Sequence, residues 1–199
     1  MIYNIPDTIV FDLTNAIVID NPFPHFTATN VLPQNNISNL YDWFLSTTEW
    51  HLVETDFYEQ YEFSLLNVQI PDSLKNLVSE QSLSEIENLF KKKFGVNALQ
   101  LVDVVAHKLV NSQHIGVHND YINDEETHRM VLHINPDWQD EKGGFLMLFN
   151  SSDSHDISKL VRPINNTAFG FEISRRSHHA VSQIHHYVRY TIVYTFKRF

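Results

Sequence analysis

In the stretch IGVHNDYINDEETHRMVLHINPDWQDEKGGFLMLF, residues 115–149, a histidine and an aspartate stand two positions apart, His118 and Asp120. On a strand, side chains two apart face the same way, so this pair can offer a metal two ligands from one strand end. A third ligand has to come from elsewhere. Residues 174–196, SRRSHHAVSQIHHYVRYTIVYTF, supply His179, in phase with Val181 and Gln183, whereas His178 points the opposite way. Two histidines and one carboxylate on one face leave coordination positions open, as non-haem Fe(II) sites require. A catalytic zinc on the same donors is the alternative chemistry.

Alone, a His-x-Asp pair arises easily by chance in a chain with 12 histidines and 24 acidic residues. The last strand adds context. In RYTIVYTF, Arg189, Thr191, Val193 and Thr195 share one face, and Tyr190, Ile192, Tyr194 and Phe196 share the other. An arginine turned into a barrel needs a partner, because an unpaired buried charge is very costly. A carboxylate that accepts two parallel hydrogen bonds is its best match.

These residues need elements to position them. Two helices are expected in the N-terminal part. Ile37, Leu40, Tyr41, Phe44 and Leu45 recur at helical spacing, giving one apolar stripe that packs on something flat. In QSLSEIENLFKKKFG, Ser82 and Glu85 read as a capping box and Leu83, Ile86, Leu89 and Phe90 as the buried face. Lys91, Lys92 and Lys93 then meet the negative end of the helix dipole, a capping role preferred here over an anion site, and Gly95 is the C′ residue. After Asn97 the chain turns to short segments rich in β-branched and aromatic residues: ALQLVDVVAHKLV, RMVLHI, GFLMLF, TAFGFEI, HHAVSQI and RYTIVYTF. The expected fold is mainly β with N-terminal helices: an antiparallel sandwich or jelly roll, with a helix-rich support region over 1–96 buttressing a core over 97–199.

Composition bounds the rest. A chain of 199 residues, 43% of them hydrophobic, can bury one sizeable core, so a single domain over 1–199 is expected. A net charge of −10, from 14 basic against 24 acidic residues, argues against a nucleic-acid or anionic-membrane binder, since both need a basic footprint. A basic peptide or a small polar substrate fits better. Zero cysteines exclude disulfides, thiolate zinc sites and cysteine nucleophiles, so any metal sits on histidines and carboxylates. The start MIYNIPDTIVFDLTN lacks a basic leader and a long apolar run, which makes the cytoplasm the expected location.

Taken in order, the segments NPFPHFTATNVLP, HKLVNSQHIGVHND, HRMVLHINPDW, GGFLML, FGFEIS, SHHAVS and RYT resemble the Fe(II)- and 2-oxoglutarate-dependent oxygenases, in particular their prolyl-hydroxylase-like branch. The resemblance implies a double-stranded β-helix, with His118, Asp120 and His179 as iron ligands. It implies that Arg189 receives the distal carboxylate of 2-oxoglutarate with Thr191 beside it, and that O₂ is the oxidant and ascorbate a reductant. Hydroxylation of a residue in a peptide or protein, with succinate and CO₂ as co-products, is the implied activity. Free amino acids as substrates, and desaturation or oxidative cyclisation in peptide tailoring, are the variants it leaves open. Asp120 sets the chain apart from the halogenating relatives, which lack this carboxylate. The chain departs from the family at His133 and Lys108, where relatives carry tyrosines, and at NSQ, residues 111–113, where they carry a glycine. His133 shares a face with Val131 and Arg129; it either donates to the cosubstrate or is a core histidine satisfied by backbone. The loops SRRSHH and YINDEETHR flank the ligands: Arg175 and Arg176 either line the mouth or form a solvated turn, and Asp124, Glu125 and Glu126 give an acidic rim with a slight preference for basic peptides. His155, His185 and His186 are expected in exposed loops. Outside enzymes, a metal-binding jelly-roll sensor or binding module is the alternative class; it has no need of Arg189.

Overall fold

Two β-sheets, two α-helices and two short 3-10 helices make up the computed structural model, which describes residues 11–199; the first ten residues, where part of the leader reading falls, lie outside it. The larger sheet has eight strands, in the order β1 (Ile17–Ile19), β2 (His25–Thr29), β10 (Thr167–Glu172), β7 (His128–His133), β12 (Arg189–Arg198), β5 (Leu99–Leu109), β4 (Glu59–Ser64) and β3 (His51–Glu54). The smaller has four: β6 (Ile115–His118), β11 (His179–Val181), β8 (Leu146–Phe149) and β9 (Ile157–Val161). Every strand pairing is antiparallel. This is the double-stranded β-helix expected from the sequence, a mainly β fold with few helices. Among the described residues no helix is long and apolar enough to cross a membrane.

The helices α1 (Gln34–Ser46) and α2 (Glu80–Phe94) lie on the outer face of the larger sheet. Ile37, Leu40 and Phe44 from α1 and Ile86, Leu89 and Phe90 from α2 join Tyr190, Ile192, Tyr194 and Phe196 of β12 in one apolar cluster. Burial of this stripe, more than local propensity, holds such short helices in place. Leu45, counted in the stripe from spacing alone, points to solvent at 59% exposure. The cap of α2 is also displaced by one turn. Ser79, not Ser82, is the N-cap and accepts from the Ser82 amide at 3.3 Å, while Ser82 is buried inside the helix and Glu85 accepts the Phe11 amide at 2.9 Å. Gly95 closes the helix at φ 70°, its N–H donating to the Lys91 carbonyl.

One expectation is corrected in extent. The region over 1–96 is not only a helical support, because β1 to β4 lie in it and extend the larger sheet at both edges. These strands are short or interrupted by charge, as in HLVE and EQYEFS, so they carry little β signal of their own; pairing with β5 and β10 makes them strands.

Candidate metal centre

His118 ends β6 and His179 begins β11, and the two face each other across the antiparallel pair, ring centroids 4.2 Å apart. Asp120 is not on the strand. It lies beyond it at φ 59°, a left-handed conformation that aspartate tolerates better than most residues, and this turn brings its carboxylate back over the histidines. Its Oδ1 is 3.3 Å from His118 Nε2 and its Oδ2 is 3.2 Å from His179 Nε2. The three residues singled out in the sequence thus lie together, with the aspartate arriving by a turn and not by strand alternation. One donor atom from each of His118, Asp120 and His179 lies within 4.8 Å of the others, a group that could hold a metal ion.

The tautomers suit this. His118 Nδ1 is 2.9 Å from the Gly116 carbonyl and His179 Nδ1 is 2.7 Å from the Ser177 carbonyl. A carbonyl only accepts, so both Nδ1 atoms carry the proton and both Nε2 lone pairs are free. Burial pushes the Asp120 carboxyl up, yet the Arg129 guanidinium beside it outweighs burial and holds the group well below the usual carboxylate range.

Arg129, mentioned in the sequence only for its place on β7, is a principal charge of the site. Its Nη1 lies 2.8 Å from Asp120 Oδ2, and its Nη2 donates to Glu126. Burial lowers its proton affinity, and Asp120 and Glu126 raise it further than burial lowers it. Glu126 thus belongs to the site and not to a solvated rim, while Asp124 and Glu125 are exposed. Across the mouth, Arg175 lies over the Tyr121 ring at 4.7 Å, joining the loop before β11 to the loop after β6; Arg176 is exposed, as are His155, His185 and His186.

The cavity behind the ligands measures about 480 Å³ and lies between the sheets, with Arg189, Thr191, Val193 and Thr195 along one wall. Arg189 is 5% exposed and its Nε has no hydrogen-bond partner; burial lowers its pKa to about 10, so it remains a cation at neutral pH. The double glycine makes room for it. A Cβ on Gly144 would lie 2.9 Å from Arg189 Cδ, and one on Gly143 would lie 2.0 Å from the Gln183 carbonyl oxygen, with φ 72° and 65° at the two positions. The glycines therefore admit a close approach of the β11–β12 loop as well as turning the chain into β8.

In register across three strands, His107 of β5, Thr191 of β12 and His133 of β7 form one row on the cavity side of the sheet. His133 is fully buried and neither ring nitrogen has a partner, so it is not a core histidine satisfied by backbone. Burial, then the charge of Arg189, holds it well below the ordinary histidine range. Lys108 points the other way, its Nζ 4.8 Å from the Trp50 ring centroid and 4.4 Å from that of Tyr61. His107, one residue earlier, lines the cavity instead; burial, reinforced by Arg129 and Arg189, lowers it to about 3 and keeps it neutral. Sequence reading set Arg129 on the face of His133 without giving it a role, and missed His107, which only the register with Thr191 places on the cavity side.

Residues 104–197 match the model of the 2OG-Fe(II) oxygenase superfamily. Over 181 residues the chain is 25% identical to the prolyl 3-hydroxylase OGFOD1 of Mus musculus and 24% identical to the prolyl 3-hydroxylase sudestada1 of Drosophila melanogaster. These alignments cover 85% and 86% of this chain but 31% and 33% of the relatives, so the chain spans about a third of the length of the curated relatives it matches. A prolyl-4-hydroxylase of Pseudomonas putida superposes with a TM-score of 0.70 at 14% identity, covering 94% of this chain and 96% of its own. A prolyl hydroxylase from Trichoplax adhaerens, solved with a peptide of the hypoxia inducible factor oxygen degradation domain, gives 0.67 at 14% identity, over 87% and 83% of the two chains. The structural likeness fixes the fold, and the family match over residues 104–197 together with the two relatives supports a 2OG-Fe(II) oxygenase similar to the prolyl hydroxylases.

Proposed function

We propose that this chain couples the oxidative decarboxylation of 2-oxoglutarate to hydroxylation of a residue in a peptide or protein, releasing succinate and CO₂. The residues fit the groups this requires. His118, Asp120 and His179 present the two imidazoles and one carboxylate that suit Fe(II) while leaving positions open. Arg189 is a buried cation whose Nε lacks a partner, and a dicarboxylate entering the cavity would supply the missing charge. This coincidence of an open donor set and an unsatisfied guanidinium in one cavity carries the proposal.

When bound, Fe(II) supplies the redox chemistry, with O₂ as oxidant and 2-oxoglutarate as the reductant lost as succinate and CO₂. The chain's own part is binding and orientation. The Nδ1 hydrogen bonds to the Gly116 and Ser177 carbonyls fix the rings of His118 and His179 so that both Nε2 lone pairs face the metal position. Arg129 holds the Asp120 carboxylate ionised and in place. Arg189, with the Thr191 hydroxyl beside it, receives the distal carboxylate, and the neutral rings of His107 and His133 offer hydrogen bonds on either side of Thr191. The apolar side chains Leu146, Phe169, Phe171 and Val181 exclude water from the same space.

A peptide or protein substrate is favoured because the two curated relatives are prolyl 3-hydroxylases and one neighbour of like fold was solved with a peptide. The test is succinate formation with Fe(II), ascorbate and O₂, comparing a pool of peptides with a pool of free amino acids. Stimulation by peptides, with a mass gain of one oxygen in that pool, is expected. Stimulation by free amino acids alone would overturn the substrate assignment while keeping the chemistry.

A further inference from the structure

The main cavity has a second polar wall that the chemistry above leaves unused. It is carried by β4, whose inward residues Gln60 and Glu62 follow Tyr58 at period two. Tyr58 bridges to Ile115, and the Phe57 carbonyl accepts the Gly116 amide at 2.8 Å, so this wall begins beside the strand that ends in His118. It runs to Glu62, directly opposite His107. Gln60 and Glu62 therefore lie between the metal strand and the row of His107, Thr191 and His133.

Both side chains have acceptor capacity to spare. Gln60 is 4% exposed; its Nε2 donates to Glu62 Oε2 at 2.9 Å, and its Oε1 is buried without a donor. The Glu62 side chain is 24% exposed, and among the described residues the one titratable group within ion-pair distance of it is His107, its Nε2 3.8 Å away. Burial, reinforced by Arg129 and Arg189, lowers His107 to about 3, so it brings Glu62 no positive charge. The other charged groups of the cavity have partners or a ligand in prospect. Arg129 lies with Asp120 and Glu126, Asp103 accepts from the Ser64 hydroxyl and the Val104 amide, and Arg189 faces the space for the cosubstrate. The cavity thus has two poles: a guanidinium open to an anion on β12 and, two strands away on β4, a pair of acceptors open to a cation.

We propose that this acceptor pair receives the end of the target side chain, and that the residue hydroxylated is a lysine or arginine. Its ammonium or guanidinium would lie between Gln60 Oε1 and the Glu62 carboxylate, and its aliphatic stem, along Tyr58 and Ile115, would bring carbon to the metal position. One C–H of the stem becomes C–OH. Of the two atoms of O₂, one enters that hydroxyl and the other the new carboxylate of succinate, as 2-oxoglutarate loses CO₂. The inference rests on the peptide-oxygenase function proposed above and names its target. A proline ring carries no donor; it would leave Gln60 Oε1 open and Glu62 without a counter-charge, so the target differs from the residue in the names of the curated relatives.

The test uses labelled peptides that differ only at a central lysine, arginine, norleucine, proline or glutamate. Binding is read by fluorescence anisotropy with Fe(II) and 2-oxoglutarate present and O₂ excluded; succinate and the position of the added oxygen are measured after O₂ is admitted. The lysine or arginine peptide is expected to bind at least about tenfold more tightly than the norleucine and proline peptides, with glutamate weakest, and to gain the oxygen on its central residue. In Glu62→Gln the advantage over norleucine should largely vanish, and Gln60→Leu should weaken the cationic peptide by about threefold to tenfold. Tightest binding of the proline peptide, equal binding across the series, or a cationic preference that survives Glu62→Gln would overturn the proposal, and the wild-type series decides it even where a variant misfolds. A loss in Gln60→Leu shared equally by all five peptides would assign that oxygen to a backbone N–H and likewise overturn it. A cationic preference without any iron-dependent succinate would instead strike the oxygenase function, so the two failures are told apart.

Discussion

The two faces of β12 do opposite work with alternate residues of one strand. Tyr190, Ile192, Tyr194 and Phe196 are enclosed by the helices and by each other's neighbours: the Tyr194 hydroxyl donates to the Leu77 carbonyl, and the rings of Phe11, Tyr41, Phe44, Trp50 and Phe90 pack edge-on or tilted around this face. Arg189, Thr191, Val193 and Thr195 face a cavity instead, in the company of buried polar atoms with no partner: Arg189 Nε, Arg129 Nε, Gln60 Oε1 and both ring nitrogens of His133. A protein satisfies nearly all its buried polar groups, so this concentration of unsatisfied ones around the cavity, against the single His128 Nε2 on the helix side of β7, marks where a ligand completes the structure. Stability is concentrated on one face and binding on the other.

Substitutions should separate the two. The largest effect is expected from His179→Ala on the cavity face, which should lose iron binding and iron-dependent succinate formation altogether while its melting temperature stays near that of the metal-free wild type. On the other face, Ile192→Ala should cost about 2–5 kcal/mol in denaturant unfolding, as buried large-to-small changes do, and leave the rate per folded molecule unchanged. Arg189→Gln should raise the 2-oxoglutarate concentration needed for half-maximal turnover by about tenfold to a hundredfold, the worth of a charged hydrogen bond, yet leave the ligand-free protein as stable as before or more so, because it removes an unpaired buried charge. A loss of stability in Arg189→Gln matching that of Ile192→Ala would erase the distinction between the faces.

The smallest effect concerns pH. His128 is buried against the rings of Phe90 and Phe94 on the helix side, and burial, with some help from Arg198, lowers its pKa from 6.5 to about 4. Its neutral form is the folded one, so the unfolded chain binds the extra proton between those values. Its contribution to stability is therefore complete above about pH 6.5 and is lost as the pH falls towards 4. His128→Phe should flatten that part of the stability curve measured by urea unfolding, and an unchanged slope between pH 6.5 and 4 would contradict the assignment.

Much of this was legible in the residues. The two faces of β12 follow from period-two alternation, because long β-branched and aromatic runs fix which side of a strand is apolar, while His118, Asp120 and His179 were picked out by residue type, spacing and the family resemblance. What escaped depended on pairing. Whether His107 or Lys108 enters the cavity is a question of one residue in phase, and only the register with Thr191 decides it. The ion pairs of Arg129 with Asp120 and Glu126 depend on a left-handed turn at Asp120 that no alternation rule contains. The strands β3 and β4 gain their form from β5, and with them come Gln60 and Glu62 on the cavity wall, a placement that the pairing of Glu62 with His107 decides.

The most direct test of the central claim is succinate formed from 2-oxoglutarate under Fe(II), ascorbate and O₂, run side by side with wild type and His118→Ala at matched folded concentration. Iron-dependent succinate from the wild type and none from the variant is the predicted result. Equal succinate from both would show that His118 does not hold the metal and that the chemistry lies elsewhere.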